Sequence, residues 1–180
     1  MALGRVTVRF PGLRAPTCED VDVLEPTRVL TPVGWREWVK LPGFGVPWIK
    51  AKVDTGARSS SLHAFDIEHI WRDGEPWVRF SVHPWQRSDA DAVAVECPIQ
   101  DERIVRSSSG HTEERIVVLV DVVLGKRTIE AEVSLSNRDQ MGFRMLIGRE
   151  ALRQGFVVNP GRSYLGGRPR LAMRRRNRGR

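Results

Sequence analysis

Four segments of this chain, GWREWVKLP, VPWIKAKVD, EPWVRFSVHP and RTIEAEVSLS, alternate apolar and polar residues with a period of two. That period fits an extended strand with one side in a core and the other in water, and it does not fit a helix face. Turn signals separate the segments: Pro42-Gly43-Phe44-Gly45 between the first two, Asp73-Gly74 before the third, Gly125-Lys126 before the fourth. Each reads as a hairpin connection. DERIVRSSSGHTEERIVVLVDVVLG reads as strand, Ser/Gly turn and long strand. A short apolar strand, a brief helix over about residues 149–154 and a last strand at 156–158 end the pattern. No internal repeat of a solenoid or propeller period is present. Many short strands with regular turns and one short helix predict an all-β barrel or sandwich.

Composition bounds what such a barrel can be. With 180 residues, 41% of them hydrophobic, the chain can bury one ordinary core. No apolar run reaches the roughly 18 residues of a membrane helix, and the first residues lack a secretory apolar region. Cys18 and Cys97 are isolated, so neither a disulfide framework nor a metal knuckle is expected. The expectation is a soluble cytoplasmic domain with no membrane partner.

The formal charge of +7 is uneven. Residues 151–180 hold nine Arg and no acid, which leaves 20 bases against 22 acids, a net of −2, in residues 1–150. Three regions follow. Residues 1–32, broken by Pro11, Pro16, Pro26 and Pro32, read as a loose arm or an edge segment. Residues 33–167 carry the strand pattern. Residues 168–180 read as a disordered arginine-rich tail, which either only solvates the chain or makes a weak contact with RNA. Residues 85–100 fit no pattern.

The familiar chemical motifs are missing. GxxxxGK[ST], GxGxxG, GxSxG and HExxH do not occur, and His63, His69, His83 and His111 form no ligand spacing. No cofactor and no metal are expected. One segment stands out: Asp54-Thr55-Gly56-Ala57, directly after VPWIKAKV. A carboxylate there is held at the mouth of a loop, and Gly56 permits close backbone approach. The four residues alone leave two readings open, a catalytic carboxylate or an Asx turn capping backbone N–H groups.

A second element, Met145-Leu146-Ile147-Gly148-Arg149 followed by a helix, pairs with the first. DTGA with an apolar-Ile-Gly-Arg-helix block resembles the retropepsin-like aspartic peptidases. VGWREWVKLP, KVDTGARSSSLHA, RSSSGHTEER and NRDQMGFRMLIGREAL resemble one bacterial branch of them, the RimB-like proteins once labelled "ATP-dependent zinc proteases". The resemblance covers residues 33–167. It implies a retropepsin-like acid-protease barrel, active as a homodimer, in which each copy supplies one Asp54 to a shared dyad. It assigns Thr55 to hydrogen bonds across the dimer, Gly56 to close loop packing, and Ile147, Gly148 and Arg149 to the strand behind the loop. Ala57 offers no hydroxyl to favour the charged carboxylate, so the dyad should keep its shared proton to higher pH.

The resemblance further implies a flap with its tip at Ser107, Ser108, Ser109 and Gly110. It implies a substrate too: oligo-glutamate tails that the RimK ligase adds to a small-subunit ribosomal protein. Positive groups must then offset repulsion by the dyad. Arg58 follows the DTGA, and Arg103, Arg106, His111 and Arg115 flank the flap. Two other classes compete: an RNA- or ribosome-binding barrel acting through its arginine-rich tail, and a metal-dependent hydrolase built on His63 and His111.

Overall fold

The structure, a computed structural model, describes residues 29–106, 112–139 and 141–176. Twelve strands run through them. The first is β1 (Thr31–Gly34). β2 (Arg36–Leu41) and β3 (Val46–Val53) form a hairpin across a 3-10 turn at Pro42–Phe44, with Gly45 in the left-handed region at φ 66°. β4 (Ser60–His63) follows, then the meander β5 (Phe65–Arg72), β6 (Glu75–Val82) and β7 (Val93–Pro98). β8 (Asp101–Arg106), β9 (Thr112–Leu124) and β10 (Arg127–Ser136) form consecutive antiparallel pairs. β11 (Met145–Ile147), α1 (Arg149–Leu152), β12 (Phe156–Asn159) and α2 (Leu171–Arg176) end the order.

The main sheet closes on itself. Its order is β10-β4-β11-β3-β2-β9-β8, and β10 also pairs with β9, so six strands form a ring and β8 extends past it. Closure removes sheet edges that would otherwise be left open. The core lies inside this ring and beneath the β5-β6-β7 sheet. Val118, Val120 and Val122 of β9 lie opposite Val133, Ala131 and Ile129 of β10, all buried as their alternation requires. In β10 the alternation gives way to continuous burial at residues 133–136, where the strand gains β4 as a second neighbour. The all-β barrel read from the sequence is the fold observed.

Two stretches refine the sequence reading. Residues 31 and 32, read as a loose arm or an edge segment, belong to an edge strand, β1, which pairs in parallel with β12 (Thr31↔Phe156 to Gly34↔Asn159). Pro32 is tolerated because β1 is an edge strand, where a missing N–H costs no ladder bond. Residues 171–176, assigned to a disordered tail, form α2. Its Arg176 Nη1 lies 3.3 Å from Asp91 Oδ2, and Arg174, Arg175 and Arg176 occupy the helix's C-terminal end, where cations are favoured. The region thus has two short helices rather than one.

Residues 85–100 acquire a physical account. Trp85 is buried, and its Nε1 donates to Asp91 Oδ2 over 3.1 Å. The buried Arg144 guanidinium donates to the carbonyls of Trp85 (2.6 Å) and Ser88 (2.8 Å) and pairs with Asp89 at 3.1 Å. The segment wraps an arginine and continues into β7.

Candidate active site

β3 delivers the carboxylate. Ile49, Ala51 and Val53 face the core, which puts Lys50, Lys52 and then Asp54 on the opposite side of the strand. The main chain of Asp54 is fixed by its N–H to the carbonyl of Ile147 at 2.9 Å, extending the parallel β3–β11 ladder by one bond. Its side chain is fixed as well. Oδ1 accepts the N–H groups of Gly56 (3.0 Å) and Ala57 (3.2 Å), and Oδ2 accepts Lys52 Nζ at 2.9 Å. A Cβ at Gly56 would lie 3.3 Å from Oδ1, so glycine keeps that approach open.

β11 braces the loop from behind. It lies between β3 and β4, parallel to the first and antiparallel to the second. Gly148 N–H donates to the buried Ser60 hydroxyl (3.1 Å). The N–H groups of Arg149 and Glu150, unpaired within α1, donate to the loop carbonyls of Ala57 (2.8 Å) and Arg58 (3.1 Å). The Arg149 guanidinium closes the frame on the Thr55 carbonyl at 3.0 Å. Gly148 has an ordinary φ of −88°, so space rather than backbone angle requires glycine there. Thr55 and Gly56 are exposed at the outer end of this frame.

The Asp54 carboxyl is held below the usual carboxylate range. The Lys52 hydrogen bond is the largest cause, burial opposes it, and the Ala57 and Gly56 amides add to the lowering. The side chains are 46% (Lys52) and 25% (Asp54) exposed, so the ion pair is wet and worth at most about 1 kcal/mol. A second cation feels the same carboxylate. Half-buried Arg138 has its pKa lowered by burial and by Arg115 and raised by Asp54, and its Nε donates to the Phe143 carbonyl at 3.3 Å.

The other site residues named from the sequence fall elsewhere. Ser107, Ser108, Ser109, Gly110 and His111 lie outside the described residues, and Arg106 ends β8 opposite Thr112. Arg58 is exposed, 3.9 Å from Glu150. Arg103 pairs with Glu132 (2.6 Å) and Asp101, and Arg115 pairs with Glu113 (2.9 Å). Arg58 and Arg103 line a cleft of about 860 Å³ with Glu130, Glu132 and Glu150, and Asp54 is not part of its wall. His63 Nδ1 accepts the Arg138 N–H at 2.9 Å, and burial and then Arg144 lower its pKa, which suits a neutral acceptor. Among the described residues no group of three or more His, Cys, Asp or Glu could hold a metal ion.

Sequence reasoning passed over Lys52 and Arg138. The first carried a signal, since a residue two before Asp54 on a strand shares its side. The second carried none, because its place depends on a turn that β10 and β11 bring together.

Residues 32–169 match the family model described as RimB-like, retropepsin-like aspartic endopeptidase RimB. The chain belongs to the RimB-like family. Its similarity extends to curated relatives named "Probable alpha-L-glutamate ligase". The one from Shewanella pealeana is 46% identical over 132 residues, 73% of this chain and 29% of the relative. The one from Desulfotalea psychrophila is 45% identical over 128 residues, 71% of this chain and 28% of the relative. This RimB-like chain thus spans under a third of the length of those relatives. Among solved structures, a Legionella pneumophila protein of unknown function is 28% identical with a TM-score of 0.65, covering 75% of this chain and 97% of that one.

Proposed function

We propose that this RimB-like chain is an aspartic endopeptidase whose catalytic dyad is formed by Asp54 from each of two copies, and that it hydrolyses peptide bonds in oligo-glutamate tails. The observation that carries the reading is the frame itself: a carboxylate held by the Gly56 and Ala57 amides, braced by Ile147, Gly148 and Arg149, and open to solvent on its outer side.

One protomer supplies one such carboxylate. Two of them facing across a two-fold axis cannot both ionise cheaply and share a proton. The ionised member takes a proton from a water held between them while the protonated member polarises the scissile carbonyl. Water adds to the carbonyl carbon, the nitrogen takes a proton, and the C–N bond breaks with no covalent enzyme intermediate. The apparent pKa values belong to the pair. In this reading the second copy covers Thr55 and Gly56, which are exposed in the single chain.

The substrate reading rests on two supports. Relatives that contain a RimB-like segment are named for joining glutamate, and an enzyme trimming the product is the natural companion of that activity. Cations also surround Asp54: Lys52 in contact, Arg138 within its field. They oppose the repulsion between a carboxylate-bearing peptide and a negative dyad, which is about 1 kcal/mol per close pair in water and about 4 kcal/mol at an effective dielectric of about 20. As the resemblance implies, the tails are those that RimK adds to a small-subunit ribosomal protein, in the cytoplasm.

Incubation with a peptide carrying an oligo-α-glutamate tail, read by mass spectrometry, tests the reading. Wild type should shorten the tail and Asp54→Asn should not. A competing RNA-binding barrel acting through its arginine-rich end predicts the reverse pattern: Asp54→Asn neutral, and RNA binding lost on deletion of residues 168–180.

A further inference from the structure

The ion pair at the site conflicts with the chemistry the site must do. A shared proton is needed on the dyad, yet Lys52 Nζ sits 2.9 Å from Asp54 Oδ2 and favours the ionised carboxylate. With each Asp54 held by its own Lys52, both members of a dyad could stay ionised, and no general acid would be left. Lys52 therefore has to leave Asp54 before catalysis. Its position allows this, because the ammonium is on a flexible stem, nearly half exposed, and bound to a single carboxylate oxygen.

We propose that Lys52 is an exchangeable latch: it holds Asp54 ionised in the absence of substrate and moves to a carboxylate of the bound glutamyl peptide, so that an acidic side chain beside the scissile bond both selects the substrate and releases the dyad. The inference rests on the aspartic-peptidase reading above and adds specificity to it. A carboxylate on the substrate is the partner that lets an ammonium leave one anion without being left unpaired. A neutral side chain offers no such exchange. Arg138 adds to the same selection, since the Asp54 charge acts on it and its guanidinium is held through Nε on the Phe143 carbonyl. Arg103 and Arg115 are already committed to carboxylates of their own chain, whereas Lys52 is in direct contact with Asp54.

The test compares one glutamyl peptide with its glutaminyl counterpart. For wild type, kcat/KM should favour the glutamyl peptide. In Lys52→Met that ratio should fall by about tenfold or more, and Lys52→Arg should restore part of the preference. The same pair of peptides is then titrated by calorimetry into the non-cleaving Asp54→Asn protein with and without Lys52→Met. A glutamyl preference lost on removing Lys52 supports the contact between Lys52 and the substrate carboxylate on which the latch depends. Cleavage by wild type with the same Glu/Gln ratio in Lys52→Met overturns the latch and leaves the peptidase reading standing. Equal binding of both peptides whether or not Lys52 is present also overturns it.

Discussion

A Cβ placed on Gly148 would lie 2.4 Å from the Ser59 carbonyl oxygen and 2.8 Å from that of Arg58. The strand behind the loop therefore touches it main chain to main chain, with no room for a methyl group. Gly148→Ala must push the 54–59 loop outward and break the bonds from Arg149 and Glu150 to Ala57 and Arg58. We expect a loss of about 1–3 kcal/mol in stability from overpacking and a larger fractional loss of peptidase activity, measured by thermal unfolding beside a cleavage assay. Unchanged stability and activity would show that the contact is not what positions Asp54.

The charge on Asp54 has a pH consequence. Its carboxyl is depressed in the folded protomer, chiefly by Lys52, so the stabilisation it provides is present above the unfolded carboxylate pKa and is lost as pH falls through the lower folded value. Asp54→Asn should therefore be slightly less stable than wild type at neutral pH, by less than about 1 kcal/mol because the pair is wet, and the difference should vanish in acid. Denaturant titrations at several pH values read this out. A difference that grows in acid would contradict the assignment.

Glu37 is a buried carboxylate that accepts three main-chain N–H groups: Gly34 at 2.6 Å, Leu165 at 2.8 Å and Gly166 at 3.0 Å. It ties the segment after β12 back to the β1–β2 corner. Glu37→Gln turns an amide donor toward one of those donors, so a cost of about 1–3 kcal/mol is expected, or about 2–4 °C in Tm per kcal/mol for a domain of this size. A Tm equal to that of wild type would mean the segment is held by other contacts.

Arg144 gathers the segment between β6 and β7. Arg144→Met strips the Trp85 and Ser88 carbonyls of their donor and should cost about 3 kcal/mol. Limited proteolysis should then cut first within residues 84–92, while catalysis on a short peptide survives because Asp54 is framed by other elements. Cleavage first at the β9–β10 turn would contradict this role.

Much of the barrel was legible because its strands obey a period of two and its turns carry Gly, as at Gly45, Gly74 and Gly125, all with positive φ. The site was legible where its parts were local, in Asp54 to Ala57, or matched a known pairing, in Ile147 to Arg149. Illegible features depend on contacts distant in sequence. Arg144 reaches carbonyls 56 and 59 residues away, Glu37 reaches amides 128 and 129 residues away, and no periodicity records either. Residues 31–32 proved to be the edge segment that the sequence left open beside a loose arm, and residues 171–176 form a helix where a disordered tail was expected. Proline content and charge describe a free segment, and the pairing of β1 with β12 is recorded by neither.

The central claim is that two Asp54 carboxylates make one active site. The most direct measurement mixes wild type with Asp54→Asn in equal amounts at fixed total protein, after subunit exchange, and follows tail hydrolysis. A shared dyad predicts about a quarter of the wild-type rate, because only dimers with two Asp54 residues work. A rate of about one half would contradict it, since each chain would then be acting alone.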